Sequence, residues 1–366
     1  MLKIGVLYGG RSGEHDVSLS SAANIISKLD VEKYDITAIG IDRDGRWYVQ
    51  DKIEIVDDAD FGHILKLNKN GNWHINHFER DNKLHLHDSA TRTSIVLDLV
   101  IPALHGSYCE DGTLQGLLEL IRVPYVGADH AGSAIGMDKS VTKKLLRDAQ
   151  IPVVPWIDVY RFQWKESRDE ICRQINETFD YPLFVKPANA GSSVGVKKVT
   201  KKEDLIEAMD FSLQFDLKVL VETAITGREV ECAVLGNFQP EASVLGEIIP
   251  KHDFYSYEAK YIDEDGADMK IPAEIPDSIA SEIRKSAVEA FVILNCSGLA
   301  RIDFFYDSST DEYFLNEINT LPGFTNISMY PKLWEYSGLS QEDLMDKLIE
   351  LALELHREKI SIKREI

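Results

Sequence analysis

An arginine, two carboxylates and an amide lie close together near the C-terminal end of the chain, in LARIDFFYDSSTDEYFLNEINTLPGFT. Arg301 and Asp303 are two residues apart, as are Glu317 and Asn319, and the stretch DSSTDE between the two β-rich runs is turn-forming. Residues two apart on a strand share a face. A hairpin that pairs Tyr306 with Phe314 sets Asp303 opposite Glu317 and Arg301 opposite Asn319, with Ile302 and Ile318 turned together toward a core. Like charges facing each other on paired strands cost stability, so the set reads as functional rather than as a solvated acidic face. The oxygens of Asp303, Glu317 and Asn319 suit Mg²⁺, which takes a few carboxylates plus substrate phosphates. That is the chemistry of an enzyme handling a nucleoside triphosphate.

A second segment, YPLFVKPANAGSSVGV, places Lys186 at the end of a buried strand, with Pro187 stopping it. Ala190, Gly191, Ser192, Ser193 and Gly195 follow. A loop so short of side chains lets backbone N–H groups and serine hydroxyls reach phosphate oxygens, and the lysine adds a compact positive charge. It is not a Walker A loop, because GxxxxGK[ST] occurs nowhere in the chain. YGGRSGE near the start has GGxxG rather than GxGxxG spacing, which makes a nicotinamide site a weak reading. Glu14 in that turn reads either as a ligand contact at a strand end or as an acid favoured at a helix N-terminus. His105, after the strand SIVLDLVIPAL, reads either as a structural histidine or as one lining a cleft. HDFYSYEAKY reads as a loop closing over a site, Phe254 stacking on a base and Lys260 meeting a phosphate, or as a surface loop with a tyrosine cluster.

The elements that must carry these residues follow from periodicity. KIGVLYGG, YDITAIGID and SIVLDLVIPAL read as buried strands, with helices in SGEHDVSLSSAANIISKL and GTLQGLLELIRV. Alternation of strand and helix implies a parallel sheet, and this first domain ends near residue 127. Residues 44 to 93 are polar and read as an insertion of small strands such as RWYVQ and LHLHD. Asp138 is placed to cap a helix through KSVTKKLLRDAQ. Next come PWIDVY, a helix around ESRDEICRQINETF, the strand PLFVK, the helix KKEDLIEAM, the strands VLVE and REVECAVLG, and a last helix in QEDLMDKLIELALELHREK. No internal repeat is visible.

Bulk composition narrows the function further. A chain of 366 residues exceeds one hydrophobic core and implies two or three domains. A net charge of −21 argues against nucleic acid and anionic membrane as partners, though a basic pocket for ATP fits within an acidic protein. Cys109, Cys172, Cys232 and Cys296 are far apart and form no CxxC pair, so reduced thiols are expected rather than a disulfide framework or zinc site. The start reads as no signal peptide, and no stretch approaches the roughly 18 apolar residues that span a bilayer. A cytoplasmic protein is expected.

Taken together, the segments resemble the D-alanine–D-alanine ligase family of the ATP-grasp superfamily. The resemblance covers nearly the whole chain, passing in order through LYGGRSGEHDVS, HGSYCEDGTLQG, GADHAGSAIGMDK, FVKPANAGSSVGV, ITGREVECAVLG, YSYEAKY, LARIDFF and NEINTLPGFT. It implies an α/β chain that becomes α+β in its catalytic half. An N-terminal parallel-sheet pre-ATP-grasp domain (1–127) would be followed by central (128–224) and C-terminal (225–366) ATP-grasp subdomains. ATP would lie between two antiparallel sheets, and the chain would form a homodimer supplying the dipeptide of bacterial peptidoglycan. By position, Asp303, Glu317 and Asn319 match ligands of two Mg²⁺ (or Mn²⁺) ions. Lys139, Lys186 and Lys260 match residues on the ATP phosphates, with Ser193 and Asn316 in the same site. Glu222, Ile225 and Glu229 match contacts to the adenosine part, and Phe254 lies beside the base. Glu14 matches the anchor for the first D-alanine's ammonium, with His105 close by. Arg301 and the backbone at Gly323 match the oxyanion site, and Ser328 a carboxylate contact for the second D-alanine. Ser192 and Tyr261 match a hydrogen-bonded set with Glu14 that holds the mobile loop shut.

Two departures stand out. Cys109 takes a place usually held by glycine, and Thr223-Ala224 fills the hinge after Glu222. The resemblance implies attack of the first D-alanine's carboxylate on the γ-phosphate, then of the second amine on the acyl phosphate. Rival readings are a ligase adding D-lactate or D-serine, and a non-catalytic ATP-binding regulator. Tyr261 favours D-alanine, since the lactate-adding relatives lack it.

Overall fold

A computed structural model describes residues 1–76, 81–251 and 267–363. The first sheet has the order β3-β2-β1-β9, formed by β1 (Leu2–Gly9), β2 (Tyr34–Ile41), β3 (Trp47–Val49) and β9 (Leu99–Pro102). β1 runs parallel to both neighbours, and β3 is an antiparallel edge. The near-continuous apolar run of β1 is what a strand buried on both faces requires. α1 (His15–Lys28) packs on β1, and its N-cap position is Glu14.

Two expectations for this region change. The run SIVLDLVIPAL is two strands, because Asp98 breaks it into β8 (Ser94–Leu97) and β9. The Asp98 carboxylate accepts from Lys3 N (3.0 Å) and pairs with Lys83 (2.7 Å), so it cannot enter a buried ladder. The small strands of the insertion therefore extend beyond residue 93. They form one pair, β4 (Ile55–Asp58) with β5 (Gly62–Leu65), and one three-stranded sheet, β6 (Trp73–Asn76), β7 (Leu84–Asp88) and β8. RWYVQ contributes β3 to the main sheet instead.

After α2 (Thr113–Ile121) and α3 (His130–Met137), α4 (Lys139–Asp148) begins at Asp138, whose carboxylate accepts from Ser140 N and Val141 N as expected of a cap. The second sheet, wholly antiparallel, has the order β10-β13-β11-β12: β10 (Trp156–Tyr160), β13 (Lys218–Thr223), β11 (Leu183–Pro187) and β12 (Lys197–Val199). α5 (Arg161–Thr178), kinked at Ser167, and α6 (Leu205–Ser212) cover it, burying Trp164, Ile175 and Met209 against Val185 and Val219.

The third sheet is also antiparallel, in the order β16-β15-β14-β17-β18: β16 (Ala267–Lys270), β15 (Glu241–Pro250), β14 (Arg228–Gly236), β17 (Gly298–Asp307) and β18 (Glu312–Asn319). α7 (Asp277–Ile293) sits on one face, where Ala287 and Phe291 meet Val230, Ile302, Phe304 and Leu315. α8 (Met329–Tyr336) and α9 (Gln341–Ser361) return to the first domain, so that Leu344, Leu348 and Trp334 share one core with Ile4, Val6 and Ala22.

The β17–β18 hairpin decides the geometry of the site. Asp303 pairs with Glu317 and Arg301 with Asn319, as expected, and Ile302 and Ile318 are buried together. Tyr306, however, pairs with Tyr313 and not Phe314, because a bulge shifts the register between Asp303 and Phe304. The extra residue is Asn316: Leu315 and Ile318 both face the core although three apart, leaving Asn316 and Glu317 together on the other side. Ile302→Ala, at a position with 0% exposure, is expected to cost about 2–5 kcal/mol, read as a lowered urea midpoint.

Candidate active site

Between the second and third sheets lies a cavity of about 550 Å³. Its walls contain Lys186, Ser192, Ser193 and Glu222 from one side and Arg301, Asp303, Glu317 and Asn319 from the other. Glu14, Lys139, Ile225, Glu229, Asn316, Gly323 and Ser328 line it as well. Phe254, Lys260 and Tyr261 fall outside the described residues.

The acidic wall is denser than the hairpin alone indicated. β14 lies beside β17, so Glu231, Asp303 and Glu317 occupy successive positions across three strands. Each has a cation. Arg301 donates from Nε and Nη2 to the two oxygens of Asp303 (2.8 and 2.7 Å), and its Nε is 3.1 Å from Glu231. Lys139 Nζ lies 3.0 Å from Glu317 and donates to Ala190 O at 2.8 Å. Burial works to lower the Lys139 pKa, but Glu317 together with Glu222 and Glu110 outweighs it and the net direction is upward. Asn319 Oδ1 accepts from Leu321 N (3.2 Å), which turns the amide toward the loop carrying Gly323. Two carboxylates and an amide on adjoining strands fit a hard divalent cation, and the arginine and lysine now on them show that positive charge is accommodated there.

On the other wall the Glu222 carboxylate sits between two ammonium groups. Lys186 Nζ is 2.6 Å from Oε2 and Lys143 Nζ is 3.0 Å from Oε1, while Lys186 also donates to Asn316 Oδ1 at 3.2 Å. Burial raises the Glu222 pKa, but the two lysines together bring it below the usual carboxylate value. The bulge at Asn316 is what brings that amide to Lys186.

The glycine-rich loop takes left-handed backbone at Ser192 (φ 49°), Ser193 (φ 60°) and Gly195 (φ 75°). Left-handed residues are uncommon off glycine, and the tight turn they form spends Val194 N on Gly191 O (3.0 Å) and Val196 N on Ser193 O (3.2 Å). Ser192 Oγ donates to Glu14 Oε1, tying this loop to the first domain. Gly106 leaves the room: a Cβ there would meet Glu14 Oε2 at 2.7 Å, at a φ of +74°. Gly323 does the same for Ser328, whose Oγ would be 2.8 Å from an added Cβ and accepts from Thr325 N at 2.9 Å.

His105 does not line this cavity. Its Nδ1 faces the Leu321 carbonyl (3.0 Å) and therefore donates to it, while Nε2 meets Ser21 Oγ (2.8 Å), which also accepts from Phe324 N (3.2 Å). His105 thus fixes the loop 320–325 from below. Burial works to lower its pKa, but Glu110, 3.9 Å away, and Glu14 outweigh it and raise it. Cys109 is buried in the same turn with Sγ toward Gly10, and burial pushes its thiol pKa up.

Sequence reasoning missed Lys143, Glu231 and Glu110. Lys143 lies in KSVTKK, where nothing in the sequence marks it as buried. Glu231 carries a signal, two residues from Glu229, whose meaning depends on knowing that β14 neighbours β17.

Models of the D-ala D-ala ligase N-terminus and C-terminus match residues 3–128 and 145–350. A relative from Oceanobacillus iheyensis named D-alanine–D-alanine ligase is 47% identical over 362 residues, covering 99% of this chain and 98% of its own. The chain belongs to the D-alanine–D-alanine ligase family. Among solved structures, the D-alanine–D-alanine ligase from Coxiella burnetii superposes with a TM-score of 0.80 at 36% identity, covering 98% of this chain and 96% of that one. The VanG D-Ala:D-Ser ligase from Enterococcus faecalis gives 0.79 at 35%, covering 96% and 99%. The two similar structures are thus ligases named for different second substrates, D-alanine and D-serine.

Gly106→Ala is expected to part Glu14 from Ser192 and to lower ligase turnover at least about tenfold, an increase of about 1.4 kcal/mol in the barrier. Gly116→Ala, where an added Cβ meets nothing within 4 Å, serves as the control and leaves turnover unchanged in the same phosphate-release assay.

Proposed function

We infer that this chain joins two D-alanine molecules into D-alanyl-D-alanine at the expense of ATP, supplying a peptidoglycan precursor in the cytoplasm. The observation that carries the reading is a match to ligases along 99% of the chain, together with an acidic wall and a lysine wall facing one cavity. We assign the substrate-binding part to 1–127, the central subdomain to 128–224 and the C-terminal subdomain to 225–366, acting as a homodimer. No described helix is long and apolar enough to cross a membrane.

A free carboxylate does not form an amide without activation. The first D-alanine is held by Glu14 through its ammonium group, and its carboxylate oxygen attacks the γ-phosphorus of ATP, breaking the bond to the β–γ bridging oxygen. Lys139, Lys186 and Lys260 neutralise the polyphosphate, while Ser193 and the neighbouring backbone N–H groups cradle it. Ile225, Glu229 and Phe254 surround the adenosine part. Asp303, Glu317 and Asn319 would hold Mg²⁺ or Mn²⁺, and the bound cations supply charge neutralisation of the transferring phosphoryl group.

The amine of the second D-alanine, its carboxylate on Ser328, then attacks the acyl carbon. Negative charge gathers on the former carbonyl oxygen, where Arg301 and the backbone at Gly323 stabilise it; the C–O bond to phosphate then breaks and the departing phosphate takes up the proton that the nitrogen releases. Ser192, Glu14 and Tyr261 keep the loop closed so that water does not take the acyl phosphate.

A D-lactate or D-serine specificity is the second reading, motivated by the VanG likeness. Product analysis with D-alanine, D-serine and D-lactate between pH 6 and 9 separates them; ester or D-serine product in excess of D-alanyl-D-alanine overturns the assignment. A non-catalytic ATP-binding regulator would release no ADP when D-alanine is added. Asp303→Ala and Glu317→Ala are each expected to lower ADP release at least about a hundredfold, through loss of one charged ligand. Retention of full activity by either variant removes that residue from the metal site.

A further inference from the structure

Lys143 has 0% exposure, lies on α4 one turn beyond Lys139, and does not reach the cavity. A buried ammonium needs partners, and it has two: Glu222 Oε1 at 3.0 Å and the Val154 carbonyl at 3.1 Å, with the Trp156 ring centroid 5.8 Å from Nζ. The opposite oxygen of Glu222 holds Lys186 at 2.6 Å. One carboxylate therefore serves two lysines, only one of which faces the cavity.

The consequence is one of charge. Lys186 with Glu222 alone is a neutral pair, and a phosphate approaching it meets an ammonium whose field is cancelled at contact distance. Lys143 restores a net charge of +1 to the trio from behind, in surroundings where dielectric screening is weak. It also fixes Glu222 from the far side, so that the carboxylate cannot follow Lys186 when that group turns to a ligand.

We propose that Lys143 is a positioning residue for the nucleotide: it engages Glu222 so that the Lys186 ammonium keeps positive charge available to the polyphosphate. The proposal rests on the ATP reading above and extends it to a residue that touches no ligand.

The groups facing Lys143 give the proposal a pH signature. Burial pushes its pKa down to about 8, with Glu222 from β13 opposing and Lys186 from β11 adding to the fall. Glu317 on β18 opposes it from farther away. Lys139 shares its helix, and Arg147 lies on the Trp156 ring, 5.0 Å from its centroid. As pH rises through 8 the Lys143 proton is lost, the trio falls from +1 to neutral, and nucleotide affinity declines.

The test is calorimetric binding of ADP with excess Mg²⁺ from pH 7.5 to 9.5, alongside KM for ATP and kcat from phosphate release with D-alanine. Lys143→Met keeps the length and removes the charge. It is expected to weaken ADP at least about tenfold at pH 7.5 and to raise KM for ATP likewise, with kcat changed less than about threefold. Its ADP affinity no longer falls between pH 7.5 and 9.5, as the wild type's does. Lys143→Arg recovers part of the loss. A lysine that only fills space predicts neither recovery by arginine nor a loss of the pH dependence in Lys143→Met. Unchanged ADP affinity in a folded Lys143→Met, or a pH dependence that survives in it, overturns the proposal. Should Lys143→Met fail to fold, the wild-type pH profile decides, and a flat one overturns it. No ADP binding by the wild type would instead strike the ATP reading, and the proposal with it.

Discussion

Three acidic residues side by side on one sheet face are the constraint around which the rest of this molecule is arranged. Glu231, Asp303 and Glu317 occupy adjacent positions on β14, β17 and β18. Their mutual repulsion is unfavourable in any half-buried setting. The fold tolerates it because the face beneath is well packed, with Val230, Ile302, Phe304 and Leu315 in one core. It also brings cations from outside the sheet. Lys139 comes from the start of α4, where the Asp138 cap sets the first turn, and Lys218 clamps that cap at 2.6 Å. A helix end, a strand from the second sheet and a row of acids in the third are thus one electrostatic unit.

Two further connections keep that unit in register with the first domain. Ser192 reaches Glu14 across the cavity, and Asn24 on α1 donates to Phe324 O at 2.7 Å, beside the Gly323 loop. Because α8 and α9 share a core with β1 and α1, the N-terminal sheet and the hairpin loop cannot shift independently. His105 adds a hydrogen bond to Leu321 O from beneath. Its part is to hold the platform on which Gly323 and Ser328 stand, which a strand-end histidine in a sequence does not reveal.

What the sequence made legible was whatever depends on period and order. The two-residue spacings in ARID and NEIN placed Asp303 against Glu317, and the apolar runs of β1 and β2 announced a parallel sheet. What escaped depended on departures from period or on contacts distant along the chain. A bulge at Asn316 looks like ordinary alternation until the partner strand is laid beside it, yet it turns that amide toward Lys186. Asp98 divides an apolar run because its carboxylate is claimed by Lys3 and Lys83. In KSVTKK nothing separates Lys143 from the exposed Lys144, since the carboxylate that buries it lies far along the chain at Glu222.

The same charge balance constrains how ligands enter. In the structure Asp303 is neutralised by Arg301 and Glu317 by Lys139. On the proposed reading, a divalent cation arriving with nucleotide competes with those two groups for the same oxygens. The exchange releases positive charge toward the phosphates and toward the carbonyl oxygen where charge will develop. On that reading, binding substitutes one set of ion pairs for another on two partly exposed carboxylates. Asp303 and Glu317 would hold the cation in place of Arg301 and Lys139, leaving those two groups to favour the polyphosphate. On the proposed reading, coupled entry of cation and nucleotide would follow from these two ion pairs, and a site whose acids had no resident cations to displace would lack it.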